Sequence, residues 1–159
     1  NNEIITNQEI YGAVSMIFKR GREWAKLLAL LVFCASNAQA ELAIIVNNDN
    51  VTNDITVEEV VSIFLGKSHT LPDGTKVVPI DQREGEQERE VFYRELVKKS
   101  QSQLNSYWSR IIFAGKGQPP FTVNDSLEVI EFISGNQNMI GYVDTDMVDE
   151  TVKVILIVQ

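Results

Sequence analysis

The sequence predicts an α/β chain in which a small, mostly parallel sheet is flanked by helices. Short β-type runs at residues 42–46, 76–80, 140–143 and 152–158 alternate with amphipathic segments, the order expected of strands joined by helical crossovers. The last run is almost continuously apolar, as a strand buried on both faces would be. The central stretch, residues 81–120, carries two successive helical stripes. Val91, Phe92, Leu96 and Val97 form the first; Leu104, Tyr107, Trp108, Ile111 and Ile112 form the second, at i, i+3, i+4, i+7 and i+8. Phe92, Leu96, Trp108, Ile111 and Ile112 are expected to face the sheet.

Residues 1–15 lie upstream of Met16 and read as an extension. Residues 16–40 have a basic start (Lys19, Arg20, Arg22, Lys26), an apolar run from Leu27 to Ala35, and the small-x-small triplet Ala38-Gln39-Ala40. This is the pattern of a cleaved secretory signal peptide, with an apolar run too short for a membrane span of roughly 20 residues. Cys34 would suit lipid attachment, but Phe33 stands before it where a small residue is needed. Cleavage after Ala40 would leave an exported domain, residues 41–159, of one-domain size. Ten basic residues face nineteen acidic ones in it, a net charge of −9 that disfavours nucleic acid and anionic membrane. With Cys34 removed no cysteine remains, so stability must come from packing without disulfides.

Residues 42–46 read as the first strand, followed by the polar turn Asn47-Asn48-Asp49-Asn50. The next helix is expected over 57–65. Thr56 and Glu59 make a capping box, Ile55 and Val60 a hydrophobic staple, and Gly66 suits the left-handed position past the end. Asp73-Gly74 marks a turn before a strand at 76–80, which Pro79 places at an edge or an end. After the central helices, Gln118-Pro119-Pro120 must be extended. Asp125 can cap a further helix running through Ile133, with Glu128 three residues on and Gly135 as its stop.

Several motifs occur together in order: FLGK at 64–67, PDG at 72–74, REVFY at 89–93, YWSRIIFAGKGQPP at 107–120 and IGYV at 140–143. In these the chain resembles the short, PstS-like phosphate ABC transporter substrate-binding proteins of Gram-negative bacteria, over nearly all of residues 41–159. The resemblance implies a type 2 periplasmic-binding-protein fold cut down to little more than one lobe. It also implies a non-enzymatic periplasmic protein that binds phosphate or a similar oxyanion and delivers it to an ABC permease.

Phosphate recognition without a metal needs N–H groups at a helix start, amide or hydroxyl donors, and an arginine fork. Three places supply such groups: the loop at 47–50 with Asn47 and Asn48, the turn at 83–89 with Arg83 and Arg89, and the helix start around Ser126. Larger phosphate-binding proteins of the resembled family carry an arginine and a Ser-Gly-Thr element at that turn; here it reads REGEQER, with Glu84, Glu86 and Glu88. Arg89 is accordingly either a ligand or a solvated helix charge.

No catalytic constellation or cofactor motif is present in the sequence. His69, the lone histidine, reads as a surface residue, and Asp144, Asp146, Asp149 and Glu150 lack EF-hand spacing and read as an acidic loop. Tyr107 and Trp108 read as core. Phe121 beside GKGQPP would suit docking of an envelope partner, which supports the alternative of a single-lobe relic serving as an interaction or envelope-assembly module.

Overall fold

The computed structural model describes residues 41–158, so the expected extension and leader lie outside the described residues. Its sheet has five strands: β1 (Leu42–Asn47), β2 (Val78–Gln82), β3 (Phe121–Val123), β4 (Met139–Asp144) and β5 (Val152–Val158). They lie in the order β3-β2-β4-β1-β5. β2 pairs in parallel with β3 and β4, while β1 is antiparallel to both β4 and β5. Four strands therefore point one way and β1 alone is reversed. The sheet is mostly parallel in direction, yet its pairings are mixed.

Helix α1 (Val57–Phe64) starts as its residues dictate. The Thr56 hydroxyl accepts from the Glu59 N–H at 3.3 Å and the Glu59 carboxylate accepts from the Thr56 N–H at 2.9 Å. Gly66 adopts φ +67 just past the end. Helix α2 (Gln87–Val91) continues into a π-helical turn (Phe92–Leu96), in which the Val97 N–H reaches back five residues to the Phe92 carbonyl. Helix α3 (Gln101–Phe113) opens on a second capping box, Ser100 with Gln103. In helix α4 (Ser126–Gly135) Asp125 is the cap, accepting from the Glu128 N–H at 3.0 Å.

The sheet is covered on both sides. Phe64, Phe92, Tyr93, Leu104 and Trp108 from the first three helices pack with Leu42, Ile44, Ile140 and Tyr142. On the opposite face Val129, Ile130 and Ile133 of α4 pack with Ala43, Ile45, Ile80 and Val143. That is a doubly wound arrangement, and it places the loops after β2, β3 and β4 at one end of the sheet.

Three expectations change. β5 is an edge strand, paired only with β1 among the described residues, and not a strand buried on both faces. Its apolar run has another cause: a register shift opposite Ile44 and Ile45 turns the strand over, so Val152 and Val154 pack with one core and Ile155, Leu156 and Val158 with the other. Ile112 does not face the sheet but is 52% exposed. At about 100° per residue it lies roughly 80° from Leu104, beyond the contact line through Leu104 and Trp108. The strand expected at 76–80 forms at Val78–Gln82 and is interior to the sheet. Pro79 is tolerated because β3 pairs only with Ile80, Asp81 and Gln82.

Candidate functional site

The carboxyl ends of β2 and β4 lie side by side, and from them the chain leaves in opposite directions along the sheet, towards β3 and towards β5. Crevices at such switch points are where open α/β sheets bind ligands. The residue at the centre of this one is Asp81, 4% exposed. Its Oδ1 accepts from the Gln82 N–H at 2.9 Å and from the Tyr142 hydroxyl at 2.5 Å; its Oδ2 accepts from the Tyr93 hydroxyl at 2.9 Å and from Arg89 Nε at 3.2 Å. Four donors thus saturate one buried carboxylate. Burial pushes the Tyr93 and Tyr142 hydroxyls well above the usual tyrosine range, and the neighbouring Asp81 charge adds to it. Both therefore stay protonated and remain donors.

Gln82 is fully buried beside this cluster. Its amide donates to Ser126 Oγ at 3.2 Å and to the Tyr142 carbonyl at 3.1 Å, bridging β2, β4 and the start of α4. Arg89 is buried as well. Beyond Asp81, its Nη1 donates to Gln101 Oε1 at 2.5 Å, and its guanidinium lies 4.8 Å from the centre of the Tyr93 ring. Arg89 is therefore neither a solvated helix charge nor a free fork, because two of its nitrogens already have partners.

A cleft of about 580 Å³ opens over Arg89 and Tyr93. Arg89, Arg94, Lys98 and Lys99 line it with Glu84, Glu90, Gly85 and the Ser100-Gln101 start of α3. Lys98 holds φ +54 at the end of the π-helical turn, which sets the Lys98-Lys99 pair at the rim. Four cations line it, but Arg89 pairs with Asp81, and Arg94 and Lys98 both pair with Glu95, at 2.7 and 3.4 Å, so much of their charge is already answered within the chain.

The five residues expected to bind the anion separate into two places. Arg83, Arg89 and Ser126 lie at the carboxyl ends of the parallel strands, but of the three only Arg89 lines the cleft. Arg83 is exposed and its Nε pairs with Glu86 at 2.8 Å, so it answers the carboxylate of its own turn. Asn47 and Asn48 lie at the opposite end of the sheet, because β1 runs against its neighbours. Asn47 is a structural cap: its amide donates to the Ile133 and Ser134 carbonyls at 3.0 and 2.8 Å, closing the end of α4, while Asn48 donates to the Glu150 carbonyl. Asp81, Tyr93, Tyr142 and Gln82 were not singled out by sequence reasoning. The available signal was a carboxylate inside an apolar strand, V-V-P-I-D, together with the tyrosines of REVFY and IGYV.

His69 is exposed, and after β4 residues Thr145–Met147 form a short 3-10 turn capped by Asp144. Phe121 is half exposed and meets Phe132 edge to face at 5.4 Å. Among the described residues no cluster of His, Cys, Asp or Glu is placed to hold a metal ion, and no helix is long and apolar enough to cross a membrane.

A doubly wound sheet with a polar cluster at its parallel strand ends is the architecture of one α/β binding lobe. Solved structures share that fold. A chain described as a phosphate ABC transporter substrate-binding protein, with bound phosphate, from Clostridium perfringens aligns at 22% identity with a TM-score of 0.56, over 73% of this chain and 45% of its own. An ABC-type phosphate transport receptor from Vibrio cholerae gives 19% identity and 0.55, over 73% and 46%; PstS from Borrelia burgdorferi gives 17% and 0.55, over 73% and 47%. The chain spans less than half the length of these solved chains. No family model and no curated protein matches it.

Proposed function

We propose that the chain is a periplasmic solute-binding-type protein that takes phosphate or a similar oxyanion in the cleft over Arg89 and works with an ABC transporter. The observation that carries this reading is the gathering of Arg89, Arg94, Lys98 and Lys99 around one cleft, four of the ten cations in residues 41–159. Asp81 and Gln101 hold the guanidinium of Arg89 in place, so the anion would meet an arginine whose orientation entropy is already spent. Lys99 adds charge at the rim, where Arg94 is held by Glu95 at 2.7 Å. The fold shared with phosphate transport proteins supports the same ligand and the same transporter context.

A cleft open on one side leaves its charge pairs in water, where salt screens them within about 8 Å at physiological ionic strength. Binding should therefore be weak, on the order of millimolar, and should fall as salt rises. Calorimetric titration with phosphate and with sulfate tests it. Arg94→Ala combined with Lys99→Ala should weaken binding at least tenfold without unfolding the chain, since Arg94 is exposed and Lys99 only half-buried. No heat of binding at about ten times the expected constant, or binding indifferent to both replacements, would sink the assignment.

A further inference from the structure

We infer that the free edge of β5 pairs antiparallel with the same edge of a second copy of this chain, joining two five-stranded sheets across a two-fold axis. Among the described residues β5 is paired on one side only, with β1, so the outward N–H and C=O groups of alternate residues along its seven-residue length face no strand. Proteins blunt such edges with short strands, prolines or outward charges. The opposite edge does this: β3 is three residues long and is entered through Pro119-Pro120. β5 uses neither device. It contains no proline, and its one charged residue, Lys153, is turned back to the Asn50 carbonyl and to Asn53 Oδ1. Ile157, 52% exposed, adds an apolar side chain at the open end.

The occupant follows from symmetry and charge. In antiparallel self-pairing centred on Ile155, Val152 meets Val158, Val154 meets Leu156, and Ile157 meets the aliphatic stem of Lys153. Asp149 and Glu150 precede β5, so this arrangement sends the two acidic pairs to opposite ends, roughly 35 Å apart at about 3.3 Å per residue. That distance exceeds the screening length. A parallel partner would place them side by side. A second copy also carries the same register shift at Ile155, so its twist matches, which a regular strand would not. With one long open edge per chain the pairing closes at two copies. The Arg89 cleft stays open, since β4 and β1 separate β2 from β5. The inference is therefore independent of the proposed ligand.

Sedimentation equilibrium of the full chain, with hydrogen exchange followed at each concentration, tests it. The expected results are a two-chain mass and outward amides of Val152–Val158 that slow as the dimer forms. Ile157→Lys should raise the dissociation constant at least tenfold while amides elsewhere keep their protection. A monomer at every concentration overturns the inference, and so does a dimer whose β5 amides exchange as fast as in the monomer. Concentration-independent protection of those amides also overturns it, by assigning the edge to a segment of residues 1–40. If Ile157→Lys does not fold, the concentration dependence in the unsubstituted chain decides.

Discussion

Arg89 Nε lies 3.2 Å from Asp81 Oδ2, with the two side chains only 11% and 6% exposed. A pair this buried gains little over apolar residues of the same shape, but it is costly to break from one side. Asp81→Ala would leave a buried guanidinium and two tyrosine hydroxyls without their acceptor. The expected loss is about 3–5 kcal/mol, read from urea unfolding. A loss below about 1 kcal/mol would mean that water or Gln101 takes over the role of Asp81. For the same reason Arg89→Ala is a poor test of ligand binding, because it disturbs the fold and the cleft together.

The two tyrosines around Asp81 give the stability a defined alkaline limit. Their folded values are raised, so the folded state keeps protons that the unfolded chain releases near pH 10. Their contribution is complete below about pH 10 and is lost as the pH rises towards the folded values. Urea midpoints should therefore fall steeply above about pH 10, and tyrosinate absorbance should appear together with unfolding. Tyr93→Phe with Tyr142→Phe should flatten that fall. An equally steep fall in the double variant would place its origin elsewhere.

Trp108 packs across the end of α1. A Cβ on Gly66 would come within 3.1 Å of the indole, and Gly66 holds φ +67, so this position requires glycine on two counts. The neighbouring Tyr107 hydroxyl donates to the Leu65 carbonyl at 2.7 Å. Trp108→Ala should cost about 3–5 kcal/mol as a large-to-small core loss. Gly66→Ala should cost about 1–3 kcal/mol through strain and crowding. Thermal melts of both variants within a degree of the unsubstituted protein would contradict this packing.

Gly141 sits in β4 beneath α4. A Cβ there would lie 2.7 Å from Val129 Cγ1 and 2.8 Å from Ile133 Cδ1. The glycine of IGYV thus lets a helix approach the sheet closely. Gly141→Ala should destabilise by about 1–3 kcal/mol. Pairing it with Val129→Ala should recover part of that loss, and a double-mutant cycle showing no coupling would refute the contact.

The sequence by itself determined the local features. Thr56 with Glu59, Asp125 with Glu128, Asp73-Gly74 and Gly66 each act within a few residues, so their caps and turns follow from spacing alone. The alternation of strands and helices, and with it the α/β class, followed from periodicity in the same way. The Ser100–Gln103 capping box was equally local but was hidden between two helical stripes. Tertiary structure decided everything that depends on which strand lies beside which. Reversal of β1 carried Asn47 and Asn48 away from Arg83, Arg89 and Ser126, although all five are plausible anion donors by type. The register shift in β5 made an edge strand look like an interior one, because an apolar run records burial but not the face or neighbour that provides it. Asp81, Tyr93 and Tyr142 form one cluster across separations of 12 and 61 residues. Their hydrogen bonds are long-range, and no local pattern encodes a partner that only chain packing brings near.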